Sequence, residues 1–543
     1  MKPFVVFTKW PEERAKFYRQ KKYWLDIPLC AILDKQVSNN PDATAIICGD
    51  RCFSYKQLSI YATNLAINLK NYGLQHGDTA LVQLPNVAEF YIVLFALLKL
   101  GVVPLNALYS HRQYELHSFI QQINPKLVIV SSEHEVFRNE VINKNIKLLG
   151  IESSSLILKL SEKNNASTAL TQDNLWYWLE SDKTEEIIPT PPDEVALFQL
   201  SGGSTSIPKL IPRTHNDYYY SIRTSAEICQ LNTKTKFLCA LPLPHNYILS
   251  SPGALGVFHK GGCIVLAASP EPLHCFELIE KHKVNMAALV PSAVITWLEQ
   301  AITYPIQKIS SLKLLQVGGA NFSSSLAKKV PLLLKCKLQQ VFGMAEGLVN
   351  YTRLDDSEDT IFTTQGRPLS PDDEIKIINE LGEQIIGEGI GILATRGPYT
   401  FCGYYNSPEQ NQKVFDSDGF YYTGDLVQRT PSGNIRVVGR VKDQINRGGE
   451  KIASEELENL ILLHPDITQV AIVAKPDMNY GEKTVAFIIS KNNQLKPFQL
   501  KKFLLEKGIA EYKLPDFIYF IESMPLTAVG KIDKNELRKM LTT

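Results

Sequence analysis

The sequence predicts an α/β protein with a large N-terminal domain of α/β sheets plus a β subdomain, followed by a small mobile α+β domain. Short apolar runs of strand length alternate with longer helix-like segments in the first part of the chain, which is typical of parallel sheets covered by helices. From residue 375 onward, short alternating strands separated by glycine turns replace that pattern. The last stretch, of about 100 residues, is long enough for a small α+β domain.

The first α/β segments precede an irregular stretch. Ser54 and Gln57 have the spacing of a capping box, and they predict the start of a helix. Residues 90–105 are almost continuously apolar, so we expect a buried helix over 87–100 that leads into a strand. Residues 153–188 are polar, and the sequence predicts a surface insertion or a linking segment there. The strands expected in this part are 44–48, 80–84 and 127–130.

The middle of the chain contains further strand-like runs, and several of them end in loops that carry Gly, Pro or Asn. In α/β sheets, ligands bind beyond the carboxyl ends of the strands. We therefore expect these loops to form the active site. The expected strands are 195–198, 237–241, 264–266, 287–290, 313–317 and 338–342.

A second domain boundary is expected near residues 441–443. It divides the chain into an N-terminal core, residues 1–440, and a mobile C-terminal domain, residues 441–543. Helices at 454–463 and 498–506, with strands at 470–474, 484–489 and 517–520, are expected in the smaller domain.

Charge and cysteine content exclude several classes of function. Lys plus Arg total 57 against 56 Asp plus Glu, a net charge of +1, so a broad attraction to nucleic acid or to a membrane is not expected. Nine scattered cysteines without a C-x-x-C pair predict buried thiols rather than a disulfide framework or a zinc site. The apolar run at the start of the sequence is short and is followed by charged residues, so a secretory signal is not expected, and the longest apolar tract is shorter than the roughly 20 residues of a membrane span. We expect a cytoplasmic protein.

Residues 199–209 (QLSGGSTSIPK) are the centre of the functional prediction. Glycines let backbone N–H groups point at phosphate oxygens, hydroxyl groups add donors, and Lys209 adds one positive charge. The segment follows an apolar strand, as a phosphate-binding loop does. Taken alone, it is equally typical of a solvated turn, and it is not a G-x-x-x-x-G-K-[ST] loop.

Four further segments occur in a fixed order after this loop: 342–346 (FGMAE), 422–425 (YTGD), 439–443 (GRVKD) and 525–531 (PLTAVGK). Together they resemble the core motifs of adenylate-forming enzymes, which include acyl-CoA synthetases, peptide-synthetase adenylation domains and luciferase. Residues 245–253 (HNYILSSPG) and 342–353 (FGMAEGLVNYTR) are similar to stand-alone aryl-acid adenylating enzymes of siderophore biosynthesis, above all those for 2,3-dihydroxybenzoate.

The resemblance implies roles for individual residues. Lys531 would be catalytic, reaching the substrate carboxylate and the α-phosphate, and Glu346 would bind Mg²⁺. Asp425 would accept both ribose hydroxyl groups with Arg440 as its cationic partner, and Lys442 would be the hinge. The other expected ATP or AMP contacts are Ser201, Gly202, Gly203, Ser204, Thr205, Lys209, Gly318, Gly319, Ala320, Phe342 and Gly343, and the expected aryl-acid contacts are His245, Asn246, Tyr247, Ser251 and Val349.

The implied reaction joins an aryl acid to AMP and then transfers it to the phosphopantetheine thiol of an aryl carrier protein, expected on a separate polypeptide. Ser251 and Val349 favour 2,3-dihydroxybenzoate, because salicylate-preferring relatives typically have cysteine and leucine at these positions. The alternatives are a salicylate-activating homologue, an aryl-CoA ligase, and a catalytically weakened binding protein. The last is suggested by Ser206, where the loop commonly has glycine, and we expect Ser206→Gly not to reduce ATP turnover.

Overall fold

The computed structural model describes residues 5–138, 140–161, 171–180, 185–201, 208–448, 450–491 and 495–541. Its strands are β1 Thr44–Cys48, β2 Arg51–Ser54, β3 Thr79–Gln83, β4 Val103–Asn106, β5 Leu127–Ser131, β6 Leu156–Leu160, β7 Val195–Leu200, β8 Leu210–Thr214, β9 Lys236–Cys239, β10 Cys263–Leu266, β11 Met286–Leu289, β12 Leu314–Gly318, β13 Lys337–Gly343, β14 Val349–Tyr351, β15 Arg367–Pro368, β16 Glu374–Ile378, β17 Ile390–Arg396, β18 Tyr421–Arg429, β19 Ile435–Arg440, β20 Ile445–Arg447, β21 Glu450–Ile452, β22 Ile467–Asp477, β23 Gly481–Ser490 and β24 Phe517–Phe520.

The helices are α1 Glu12–Gln20, α2 Ala31–Asn39, α3 Tyr55–Tyr72, α4 Ala88–Leu100, α5 Gln113–Ile123, α6 Ile142–Leu149, α7 Leu175–Leu179, α8 His215–Ile228, α9 Asn246–Ser250, α10 Gly253–His259, α11 Pro272–His282, α12 Pro291–Ala301, α13 Ser324–Leu333, α14 Glu358–Thr363, α15 Pro408–Val414, α16 Ser454–Ile461, α17 Pro497–Glu506 and α18 Lys534–Lys539.

Two sheets with parallel centres form the core of the large domain. The nine-stranded sheet has the order β15-β14-β13-β12-β11-β9-β10-β1-β2, and its pairs from β13 to β1 are parallel. The six-stranded sheet has the order β6-β5-β3-β4-β7-β8, in which only β8 is antiparallel to its neighbour. The loops after β7, β9, β11, β12 and β13 lie beyond the carboxyl ends of these strands, where a ligand site is expected.

Two smaller sheets follow. An antiparallel four-stranded sheet has the order β16-β17-β18-β19, and a five-stranded sheet contains β20 to β24. The five-stranded sheet has its own apolar core, in which Ile472, Ile488 and Leu457 are buried. This mixed architecture, with a large and a small α/β part, confirms the predicted fold class.

Local sequence signals explain several elements. The capping box is present, because the Ser54 hydroxyl accepts a hydrogen bond from the Gln57 amide while the Gln57 side chain accepts one from the Ser54 amide. Helix α4 is buried on almost every side, as its continuous apolar sequence predicts, and strand β4 follows it.

The expectation of an irregular segment at residues 153–188 was wrong in part. This segment contributes β6 to the edge of the six-stranded sheet, and α7 packs on α3. Asn64 and Asn68 of α3 donate hydrogen bonds to the carbonyl oxygens of Leu179 and Trp178. The described part of the chain contains no helix of the length and apolarity that crossing a membrane requires.

Candidate active site

The ends of the predicted phosphate loop are clamped together. The Ser201 amide donates to the Lys209 carbonyl oxygen at 2.9 Å, and the Ser201 hydroxyl accepts from the Lys209 amide at 2.9 Å. The Lys209 ammonium group lies 5.4 Å from the ring centroid of Tyr404. Gly202, Gly203, Ser204 and Thr205, together with Ser206, lie outside the described residues.

Glu346 is held just after strand β13. Its side chain is buried, with the residue 7% exposed, and its Oε1 accepts a 2.8 Å hydrogen bond from the Tyr404 hydroxyl. The backbone on either side is also fixed, because Arg213 donates to the Ala345 carbonyl oxygen and the Phe401 amide donates to that of Glu346. Burial raises the pKa of the Glu346 carboxyl, and the Tyr404 hydrogen bond and the Arg440 charge oppose that rise.

Asp425 and Arg440 form an ion pair across two neighbouring strands. They are directly paired residues of β18 and β19, and Arg440 Nε lies 2.8 Å from Asp425 Oδ1. Asp425 is 4% exposed, whereas the Arg440 side chain is 44% exposed. The Asp425 charge is the main cause of the raised pKa of Arg440. One oxygen of the buried Asp425 carboxylate on β18 is thus paired with a cation on β19, the edge strand of the four-stranded sheet.

Lys531 reaches this site from a turn near the C-terminus. Its amide donates to the Thr527 hydroxyl at 3.1 Å, and a bridge between Leu526 and Ile532 closes the turn. Ser292, at the start of α12, donates a hydrogen bond to the Gly530 carbonyl oxygen, so the turn is docked on the large domain.

The end of the Lys531 side chain lies against Gly319. A Cβ atom placed on Gly319 would be 3.2 Å from Lys531 Cε and 3.8 Å from its Nζ, so a side chain at this position would crowd the lysine. Gly319 also has φ +87°, a conformation that favours glycine. The segment after β12 and the C-terminal lysine therefore meet in one place.

The charges around Lys531 come from both parts of the chain. Burial lowers the pKa of Lys531 to about 8, the positive Arg440 adds to this effect, and the carboxylates of Asp425 and Glu346 oppose it. Burial, followed by the positive charge of Lys531, lowers the pKa of His245 to about 3. His245 is therefore a neutral imidazole beside a cationic lysine at neutral pH.

Lys442 lies exposed on the 3₁₀ turn Val441–Asp443, which follows directly on β19. The neighbouring Asp443 is paired with Arg538 of α18, with 2.6 Å between Oδ1 and Nη2. This ion pair ties the turn to the last helix.

The predicted acid-binding residues cluster around the short helix α9. His245 is its N-cap and accepts a 3.3 Å hydrogen bond from the Tyr247 amide through Nδ1. Asn246 Oδ1 accepts from the Tyr218 hydroxyl at 2.8 Å and from the Ser250 hydroxyl at 3.1 Å. Ser251 is buried at the C-terminal end of the helix.

Tyr247 and Val349, the other two residues expected at the aryl acid, are both buried. A Cβ atom on Gly318 would lie 3.3 Å from Tyr247 Cζ, so the ring rests on the glycine backbone. The buried Tyr247 hydroxyl has no hydrogen-bond partner among the residues that the structure describes. Val349 is buried on β14, and its amide donates to the Tyr399 hydroxyl at 3.1 Å.

Three other residues expected to contact ATP or AMP differ in their surroundings. Phe342 is partly buried and packs on the apolar core of the four-stranded sheet, which includes Leu348 and Val427. Gly343 and Ala320 are exposed. Phe342 thus has a clear packing role in addition to the role expected from the sequence.

Glu346 is suited to a magnesium ion that is held mainly by phosphates. Its Oε2 makes no hydrogen bond with the described part of the chain, so one oxygen of a buried carboxylate is available. No group of three or more His, Cys, Asp or Glu residues among those described forms a metal cage. A single carboxylate ligand fits Mg²⁺, which keeps waters and binds substrate phosphates.

Comparison with known proteins shows what kind of enzyme has this site. A family model described as "AMP-binding enzyme" matches residues 33–405, and "AMP-binding enzyme C-terminal domain" matches residues 456–531. The first match alone covers more than half of the chain. This protein belongs to the AMP-binding enzyme family.

Relatives of this AMP-binding enzyme cover nearly its whole length. It is 59% identical to pseudomonine synthase PmsE of Pseudomonas entomophila (strain L48), over 99% of this chain and 87% of that protein. It is 44% identical to 2,3-dihydroxybenzoate-AMP ligase of Bacillus subtilis (strain 168), over 99% and 98%. Among solved structures, apo MbtA of Mycobacterium smegmatis is 38% identical with a TM-score of 0.74, covering 98% of each chain.

Sequence reasoning missed three residues of this AMP-binding enzyme that orient the predicted ones. Tyr404 holds Glu346, Tyr218 holds Asn246, and the buried Arg213 pairs with Asp217 and lies 4.8 Å from the Tyr218 ring centroid. Tyr404 is 58 residues from Glu346 and Tyr218 is 28 residues from Asn246, whereas Arg213 and Asp217 lie one helical turn apart in the chain. All three orienting residues lie outside the motif segments, which carried the sequence signal.

Proposed function

We propose that this protein activates a 2-hydroxylated benzoate, in the first place 2,3-dihydroxybenzoate, with ATP. The products are the aryl-adenylate and pyrophosphate, and the aryl group then passes to the phosphopantetheine thiol of an aryl carrier protein in siderophore biosynthesis. The observation that carries the proposal is the packing of the Lys531 side chain against Gly319, where its charge interacts with Asp425, Glu346, Arg440 and His245.

In the first half-reaction, a carboxylate oxygen of the acid attacks the α-phosphorus of ATP. The new bond joins that oxygen to phosphorus, and the bond from the α-phosphorus to the pyrophosphate oxygen breaks. The acid is already ionised at neutral pH, so the reaction needs no general base. Lys531 would neutralise charge on the attacking carboxylate and the α-phosphate, and catalysis would rest on alignment and on charge stabilisation.

The nucleotide would be held at its ribose and at its phosphates. Asp425, which pairs with Arg440 through Oδ1, would accept ribose hydroxyl groups. Ser201 and Lys209, together with the loop between them, would hold the β- and γ-phosphates. Glu346 would supply the protein ligand to Mg²⁺, which would offset the negative charge of the phosphates.

In the second half-reaction, the thiol sulfur attacks the acyl carbon and AMP leaves. This step needs the space that Lys531 occupies, so we propose that the domain of residues 441–543 rotates about Lys442 between the two steps. The Asp443–Arg538 ion pair would move with the smaller domain, because both residues belong to it.

The choice of aryl acid would be determined by Asn246, Ser251 and Val349. A polar group at Asn246 and another at Ser251 suit hydroxyl groups at the ortho and meta positions, and the short side chain of Val349 leaves room beside them. The 44% identity to a protein named 2,3-dihydroxybenzoate-AMP ligase supports this assignment. We place the reaction in the cytoplasm, in keeping with nine cysteines that form no disulfide.

ATP–pyrophosphate exchange with 2,3-dihydroxybenzoate, salicylate and benzoate tests the proposal. We expect 2,3-dihydroxybenzoate to give the highest kcat/KM, and a clear preference for salicylate would identify the salicylate-activating alternative. Offering CoA and a phosphopantetheinylated aryl carrier protein as competing acceptors then separates a carrier ligase from an aryl-CoA ligase. Exchange with none of the three acids would refute the proposal and leave a binding protein.

A further inference from the structure

The amide of Asn246 is held in one orientation by buried neighbours. Tyr218 and Ser250 are both buried, and both hydroxyl groups lie within hydrogen-bond distance of Asn246 Oδ1, at 2.8 and 3.1 Å. The amide oxygen is thus occupied inside the protein. Asn246 is only partly buried, and its Nδ2 makes no hydrogen bond with the described residues.

The direction of these hydrogen bonds follows from Gln199. Its side-chain Nε2 donates to the Tyr218 hydroxyl at 3.1 Å, so the hydroxyl proton of Tyr218 points to Asn246. Burial raises the pKa of Tyr218 to about 12, and the group therefore keeps its proton at neutral pH. With the Asn246 amide reversed, the Tyr218 oxygen would receive two donors, and its own proton would lose Asn246 Oδ1 and have only the Ser250 hydroxyl as an acceptor.

The ring of Tyr218 is itself fixed. The guanidinium group of Arg213 lies 4.8 Å from its centroid, and Arg213 is held by an ion pair with Asp217. Gln199 is also the second-last residue of β7, the strand that leads into the predicted phosphate loop. The orientation of one amide in the acid pocket is therefore set by the same β7–β8 hairpin that carries the phosphate loop.

We propose that Tyr218 is a positioning residue for acid specificity. By occupying Asn246 Oδ1, its hydroxyl group leaves Asn246 only as a hydrogen-bond donor toward the ortho substituent of the substrate. This inference rests on the proposed function. In a 2-hydroxybenzoate the hydroxyl proton is directed to the neighbouring carboxylate, so the phenolic oxygen is left as an acceptor for Asn246 Nδ2. The nitrogen of a 2-amino group is a poor acceptor, because its lone pair is delocalised into the ring. Its N–H group would face the N–H group of Asn246, and no hydrogen bond would form.

The experiment measures adenylation kcat/KM by ATP–pyrophosphate exchange with salicylate, 2-aminobenzoate and benzoate. In the unmodified protein, salicylate should exceed 2-aminobenzoate by about 100-fold or more, because an unpaired buried donor is costly. Tyr218→Phe keeps the ring on Arg213 but frees the amide to turn. We expect the salicylate to 2-aminobenzoate ratio to fall about tenfold or more, while benzoate kcat/KM changes less than about threefold.

Tyr219→Phe is the matched control. It is also a buried tyrosine of α8, but its hydroxyl faces His259 at 3.4 Å, and the variant should keep the wild-type ratio. If Tyr218→Phe is insoluble, Ser250→Ala takes its place, with a smaller fall in the ratio expected, because Tyr218 remains and the Ser250 hydroxyl lies 3.1 Å from both Oδ1 and the carbonyl oxygen of Asn246.

Two results would overturn the inference. One is an unchanged ratio in the substituted protein, with all three acids slowed equally, which would mean that Tyr218 only supports the fold. The other is a wild-type protein that turns over 2-aminobenzoate as well as salicylate. The proposed function would survive both results, whereas it fails separately if no aryl acid supports exchange.

Discussion

Removing the Tyr404 hydroxyl should weaken the magnesium-dependent step. The group donates a 2.8 Å hydrogen bond to Glu346, whose pKa burial already raises and which this bond helps to keep ionised. A hydrogen bond to a charged group is worth roughly 1.5–3 kcal/mol, so Tyr404→Phe should lower exchange activity by roughly 10- to 150-fold at limiting Mg²⁺. The loss should be larger near pH 6.5 than near pH 8.5, because protonation of Glu346 competes with the metal.

The assay is ATP–pyrophosphate exchange at saturating aryl acid, titrated with Mg²⁺ at both pH values. Tyr405→Phe is the matched control: Tyr405 packs on Phe198, and its hydroxyl makes no hydrogen bond to the described residues. An unchanged Mg²⁺ dependence in Tyr404→Phe would refute the reasoning, as would a loss that is independent of pH.

Two further substitutions test the stability and the geometry around the site. Burial raises the pKa of Asp373 to about 7, so the folded protein binds this proton more tightly than the unfolded chain does. The stability of the protein should therefore fall as the pH rises from about 4 through about 7, by up to roughly 4 kcal/mol in unfolding free energy. In Asp373→Asn, melting temperatures measured across that range should depend less on pH. Gly319→Ala places a Cβ 3.2 Å from Lys531 Cε at a positive φ, and it should slow adenylation at least tenfold, at a cost of about 1.4 kcal/mol, while thiol capture of preformed aryl-AMP, assayed separately, changes less. The first expectation would be contradicted if the melting temperatures of the wild-type protein and of Asp373→Asn depended equally on pH. The second would be contradicted if Gly319→Ala slowed both half-reactions equally.

Much of the fold could be predicted from the sequence, because its strands are short apolar runs that end in turn residues. Strand β24 and the capping box of α3 agree with the prediction residue for residue. Strand β6 did not stand out, because its short run LILKL lies within a polar stretch and most of its side chains are only half-buried. Sheet order cannot be deduced from local pattern, and β10 between β9 and β1 is an example.

The individual site residues were predicted from motifs, but their orientation was not. The sequence predicted Asn246 as an aryl-acid contact without an orientation, and the structure places the Tyr218 and Ser250 hydroxyl groups within hydrogen-bond distance of its Oδ1. Tyr404 lies 58 residues from its partner Glu346, so the chain gives no local signal of the contact. Such relations depend on the packing of distant segments, which no periodicity encodes.

The most direct test of the central claim is the rate of aryl-AMP formation in a single turnover by Lys531→Ala. The account predicts a fall of about 100- to 1,000-fold, the usual cost of losing one preorganised donor, with transfer from preformed aryl-AMP to the carrier thiol changed less than about threefold. Lys539→Ala, on the exposed side of α18, should leave both rates as they are. Undiminished aryl-AMP synthesis by Lys531→Ala would contradict the account.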